Sequence, residues 1–159
     1  MQTFLPSTNS LECAQSLDNK RLNKQILEGY QILNVLSGRS KGGGWRNHPA
    51  VLMWKGYEHG LWRYIESMVQ VANLRGIKTE NNVKNLNALY KECAEDWGTE
   101  HPAFWRDQNK VMRIITTHRA NLFQKDPMYY VRYQYAVNSP YNIPCCSTCK
   151  YYWVTHDKT

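Results

Sequence analysis

Glu28 is the acidic residue best placed to do chemistry. It stands in the run LDNKRLNKQILEGYQIL, one helical turn after Lys24 and two after Arg21. An ionised carboxylate on a cationic, phosphate-attracting face can stabilise positive charge forming on a sugar ring. The same spacing also describes a solvated helix face whose Lys24–Glu28 pair is worth about 0.2–0.5 kcal/mol. A second cluster is GWRNHPAV, residues 44–51, which sets Trp45, Arg46, Asn47 and His48 between a glycine-rich stretch and a helix start. A helix N-terminus with Arg and His beside it suits phosphate, and Trp45 can stack on an extruded base or replace it. The plainer alternative packs Trp45 on the core, caps the helix with Asn47 or His48 and leaves Arg46 in water.

A third cluster, THRANLFQKDPMYYVRYQY, interleaves Arg119, Lys125 and Arg132 with Tyr129, Tyr130 and Tyr133. Cations for phosphates and aromatic faces for bases are the two components of sequence-tolerant nucleic-acid binding. His118 shares an apolar face with its helical neighbours, which favours a hydrogen-bonded core histidine over a catalyst. Cys145, Cys146 and Cys149, with His156 beyond them, make an incomplete zinc pattern, because structural sites use two spaced ligand pairs. The expectation is thiols, with no metal.

These residues need elements to hold them. Ser10 can open a short helix through Leu17, and Asp18 or Asn19 a longer one to Leu36. In the longer helix, Leu22, Ile26, Gly29, Tyr30 and Leu33 form one side. Lys20, Arg21, Lys24, Gln25, Glu28 and Gln31 form a polar one. Residues 37–47, with three consecutive glycines, are read as a mobile loop. Pro49 fits a first helical turn. From 50 to 74 the apolar stripe Met53, Trp54, Tyr57, Leu61, Tyr64, Ile65, Met68, Val71 and Ala72 predicts one continuous helix ended by Gly76. A further helix is predicted over 83–97, and another from Asp107 to the break at Asp126-Pro127. From Asn138 the tail shows no regular pattern.

The 159 residues are 42% hydrophobic and 13% aromatic, enough for one core that folds unaided, read as a single domain with a helical body over 1–135 and an irregular tail over 136–159. Lys+Arg 20 against Asp+Glu 13 leaves a charge of +7, which makes a polyanion the first partner to test and a basic membrane-surface helix the competitor. No apolar stretch approaches bilayer length, and Cys13 and Cys93 stand alone in helical patterns, which suits a reducing cytosol.

Three blocks taken together, MQTFLP with LDNKRLNKQILEGYQIL, then GWRNHPAVLMW, then THRANLFQKDPMYY, resemble the pyrimidine-dimer DNA glycosylase/AP lyase family, of the phage endonuclease V type. The resemblance runs to about Tyr135 and is closer to the bacterial members than to the phage enzyme. It implies an all-α domain whose extended N-terminal segment threads between helices. It also implies an enzyme that kinks DNA, flips a base and attacks the sugar C1′ with its terminal amine, forming a Schiff base that permits β-elimination. Such amines titrate near pH 8, leaving a useful neutral fraction at pH 7. On this resemblance Glu28 corresponds to the catalytic glutamate, Arg21 falls near an early substrate-binding histidine, and Arg119 and Lys125 fall near later basic DNA contacts.

Two departures stand out. Gln2 is bulky and should leave Met1 in place, so either the Met1 amine is the nucleophile or the lyase step is absent. Leu27 replaces the arginine that the phage enzyme carries just before its glutamate, which bears on dimer specificity.

The expectation is therefore a monomeric, cytoplasmic DNA glycosylase, in a bacterium or phage-infected cell, acting without metal or organic cofactor on duplex DNA with a damaged or modified pyrimidine. Met1 and Glu28 would be catalytic. Arg21, Lys24, Trp45, Arg46, Asn47, His48, Arg119, Lys125, Tyr129 and Tyr130 would contact DNA. The alternatives are a non-catalytic DNA-binding protein on the same fold and an enzyme of hypermodified pyrimidines in phage metabolism.

Overall fold

The computed structural model describes residues 1–40 and 43–157. Lys41 and Gly42, part of the glycine-rich stretch, lie outside the described residues, as does the side chain of His156. Six α-helices, α1 (Ser10–Ser16), α2 (Asn19–Leu36), α3 (Pro49–Trp54), α4 (Glu58–Leu74), α5 (Glu80–Cys93) and α6 (Gln108–Lys125), are joined by 3₁₀ turns, with no strand among the described residues. The all-α expectation holds. The chain forms two compact units, one of Met1–Thr3 with Ser10–Pro102 and the other of Phe4–Asn9 with Ala103–Thr159.

The first unit is organised on α2 and α4, with α1 packed on α4, and α3 and α5 on α2. Asp18 caps α2 by accepting from the Arg21 amide. Leu22, Ile26, Ile32 and Leu33 bury the apolar side of α2 completely. Gly29 lets α4 come close: a Cβ there would sit 2.6 Å from Ile65 Cγ1.

One expectation is corrected in this unit and one alternative reading is set aside. The stripe over 50–74 is not one helix. Lys55 turns extended and Gly56 takes φ +86°, a left-handed conformation that glycine adopts without the Cβ penalty. Glu58 then fixes the break, Oε1 accepting from the Gly56 amide and Oε2 from the Gly98 amide. Nor is the polar side of α2 uniformly solvated, because Gln25 and Glu28 are buried.

In the second unit α6 packs against the 3₁₀ segments Ala103–Arg106 and Val131–Asn138. Asp107 caps α6 through the amides of Asn109 and Lys110. The segment after Asn138, irregular by sequence, is anchored all the same. Tyr152, Trp153 and Val154 are buried, the Tyr152 amide donates to Thr117 Oγ1, and Asn121 Nδ2 donates to the Lys150 carbonyl. Buried His118 has the core role expected of it. Its Nδ1 accepts from the Leu5 amide at 2.9 Å, its ring lies against Tyr151 and Trp153, and burial pushes its pKa down to about 3.

Candidate active site

The first three residues of the chain end at Glu28. Gln2 offers its carbonyl to Gln25 Nε2 on α2 at 3.1 Å, and Thr3 Oγ1 accepts from Trp54 Nε1 on α3 at 3.0 Å, so the extended segment is tied to both helices. These bonds deliver the Met1 amine to 3.9 Å from Glu28 Oε1. The Met1 side chain is only 3% exposed while the residue as a whole is half-buried, so its exposure lies on the main chain, where the amine is.

Glu28 is held by its own helix. Gln25 Nε2, one turn earlier, donates to Oε2 at 3.1 Å, and Lys24 Nζ reaches Oε1 at 3.8 Å. Gln25 is fixed in turn by the Tyr64 hydroxyl of α4, which donates to its Oε1 at 2.6 Å. A buried relay from Tyr64 through Gln25 thus orients both the carboxylate and the main chain that carries the amine.

His48 belongs to the same neighbourhood. It caps α3, Nδ1 accepting from the Ala50 amide at 3.1 Å, and its pKa is lowered first by burial and then by the positive charge of the Met1 amine. The Trp45 ring lies 5.4 Å from the His48 ring and is 48% exposed, so it is not a core residue. Arg46 and Asn47 are exposed and line a cleft of about 340 Å³ with Lys55 and Glu58. A terminal amine 3.9 Å from a carboxylate, with a lysine at the same oxygen, is a set of groups that attack on a sugar carbon beside a phosphate can use.

A family model described as pyrimidine dimer DNA glycosylase matches residues 1–85. The chain belongs to this family. No curated protein and no solved structure matches it. The matched stretch holds Met1, Arg21, Lys24, Glu28 and the Trp45–His48 cluster of this glycosylase-family chain, and it ends before Arg119, Lys125, Tyr129 and Tyr130.

Not every residue singled out by sequence stands where a DNA contact would need it. Arg21 turns back to Asp18, Nη1 to Oδ1 at 3.1 Å. Arg119 spends two donors inside its unit, on the Pro6 carbonyl at 2.8 Å and the Tyr135 hydroxyl at 2.5 Å. Tyr130 is fully buried and stacked on Tyr133, which occupies its ring in packing; Tyr129 is 42% exposed, and Lys125 ends α6 exposed. The guanidinium of Arg132 lies over Tyr129, Tyr130 and Tyr133.

Sequence reasoning missed Gln25 and Tyr64. By pattern Gln25 falls on the polar side of α2 and Tyr64 in the apolar stripe. The available signals were the three-residue spacing from Gln25 to Glu28 and the phenol of Tyr64, which must find a partner when buried.

Proposed function

We propose that this protein excises a damaged or modified pyrimidine from duplex DNA, with the Met1 α-amine as nucleophile and Glu28 as its carboxylate partner. The observation that carries the reading is the 3.9 Å approach of the amine to Glu28 Oε1, built by residues inside the stretch that matches the glycosylase family.

The target nucleotide is flipped from the stack, with Trp45 filling or propping the distorted duplex and Lys24, Arg46 and His48 holding phosphates. The neutral amine bonds to C1′ as the bond from C1′ to the base breaks and its electron pair leaves with the base. The negative charge of Glu28 stabilises the cationic sugar of the transition state, and Oε1 takes the proton that the attacking nitrogen sheds. The C1′–O4′ bond then breaks, O4′ taking the proton that Oε1 carries, and a Schiff base forms between the Met1 nitrogen and C1′. Loss of a C2′ proton then expels the 3′ phosphate, which is the lyase step. Asn47, Lys125 and Tyr129 are assigned secondary DNA contacts, and the enzyme acts as a monomer.

A modified base rather than a dimer is the second reading, favoured by Leu27. It is 44% exposed next to Glu28 and presents an apolar surface where the phage enzyme carries an arginine. Single-turnover base release from duplexes with one thymine dimer or one modified pyrimidine tests both. Release that depends on Glu28 is expected on one of the substrates, and equal release by a folded Glu28→Gln variant overturns the mechanism.

A further inference from the structure

The cysteine cluster takes no part in that chemistry and has a geometry of its own. Residues 146–149 read Cys-Ser-Thr-Cys. The Cys149 amide donates to the Cys146 carbonyl at 3.3 Å, closing a four-residue turn. Such turns keep their end Cα atoms within about 7 Å, and a disulfide bridges Cα atoms about 4.4–6.8 Å apart. The thiols already meet, at 2.9 Å between sulfurs.

Cys145 is occupied differently. Its Sγ accepts from the Trp153 amide at 2.6 Å and donates to the Trp153 carbonyl at 3.2 Å, while its own amide donates to the Tyr151 carbonyl. Trp153 is buried, so Cys145 staples the turn to the core of the second unit and leaves the other two sulfurs at the surface, Cys146 exposed and Cys149 half-buried. Among the described residues no group of three or more His, Cys, Asp or Glu is placed to hold a metal ion.

We propose that Cys146 and Cys149 form a thiol–disulfide exchange site for small-molecule disulfides, with Cys146 as the attacking sulfur and Cys149 as the resolving one. The Cys146 thiolate attacks one sulfur of a disulfide RSSR, forming a mixed disulfide and releasing RS⁻. Cys149 loses its proton and attacks the Cys146 sulfur, closing the intramolecular bond and releasing the second RS⁻. The two thiols are oxidised by two electrons, RSSR is reduced to two RSH, and the protein's two thiol protons end on the released thiols. The roles follow from the contact between them. Cys146 is the more exposed of the two sulfurs, and the hydrogen bond between the thiols, helped by Thr148, lowers the Cys146 pKa to about 7 and raises that of Cys149 to about 11. Near neutral pH about half of Cys146 is therefore thiolate while Cys149 keeps its proton.

The test is incubation with oxidised glutathione, an acid quench, alkylation of the remaining thiols and peptide mass mapping. The wild-type protein is expected to lose two hydrogens and to carry a Cys146–Cys149 bond, with Cys13, Cys93 and Cys145 alkylated. A Cys149→Ser variant should stall as the glutathione adduct on Cys146, and Cys146→Ser should react at least about tenfold more slowly. Adduct formation on Cys93 or Cys145 as fast as on Cys146 in the wild-type protein would overturn the proposal without recourse to any variant, as would equal rates for the two serine variants.

Discussion

The Met1 amine meets the Glu28 carboxylate at Oε1, across 3.9 Å. Lys24 approaches that same Oε1, while Oε2 holds the Gln25 amide. The carboxylate is thereby divided into an oxygen that faces the amines and an oxygen that fixes its orientation. Oε1 can take up a proton while Oε2 keeps its anchor.

Replacing Glu28 with Gln preserves the shape of the side chain, and its amide oxygen can still accept from Gln25, but the negative charge is gone. Excision is expected to slow by about 100-fold or more. Thermal stability and DNA affinity should stay near wild type, so single-turnover rates read beside melting and binding curves separate the chemical role from a structural one.

Tyr64→Phe leaves the buried Gln25 Oε1 without its donor and is expected to cost about 1–3 kcal/mol of stability. Gln25→Ala frees both Glu28 and the Gln2 carbonyl and should slow excision more than Tyr64→Phe does. Urea denaturation and single-turnover kinetics on the two variants check the order. A faster reaction in Gln25→Ala than in Tyr64→Phe would remove Gln25 as the positioning residue.

The helices were largely visible in the sequence because period and caps agree: Asp18 and Asp107 cap α2 and α6, and Pro49 begins α3. The break at Gly56 was not visible, since the apolar stripe continues through it and only tertiary contacts from Glu58 fix the turn. Glu28 and His48 could be picked out by residue type and neighbours. The burial of Glu28 could not, because the N-terminal segment that covers it comes from outside the helix. Tyr130 and Arg119 show the converse: a basic and aromatic composition fits a DNA surface equally well when the residues are packing one another.

His118 should make stability acid-sensitive. Its pKa is held near 3 in the folded chain by burial, against about 6.5 when exposed. The unfolded chain therefore takes up a proton below about pH 6.5 that the folded chain refuses until about pH 3. The contribution is complete above the upper value and is lost as pH falls through that window, with a slope approaching about 1.4 kcal/mol per pH unit. His118→Asn can keep an acceptor for the Leu5 amide without titrating. Denaturation curves across the window should show a flatter acid limb in that variant, whatever its stability at neutral pH.

Duplex binding should weaken with salt. Lys24→Ala and Arg46→Ala are each expected to reduce the slope of log K against log salt concentration by about 0.9, the effect of one lost phosphate contact. Arg119→Ala should instead lower the melting temperature, because its guanidinium holds the Pro6 carbonyl and Tyr135. Slopes unchanged in both lysine and arginine variants would move the DNA surface elsewhere.

The most direct test of the central claim is borohydride trapping on duplex DNA carrying an abasic site, using protein whose chain starts at Met1, followed by peptide mapping of the adduct. The expected result is one reduced Schiff base at the Met1 nitrogen, strongly diminished in Glu28→Gln. An adduct on a lysine, or base release from an excised lesion with no adduct at all, would contradict the Met1 amine as nucleophile.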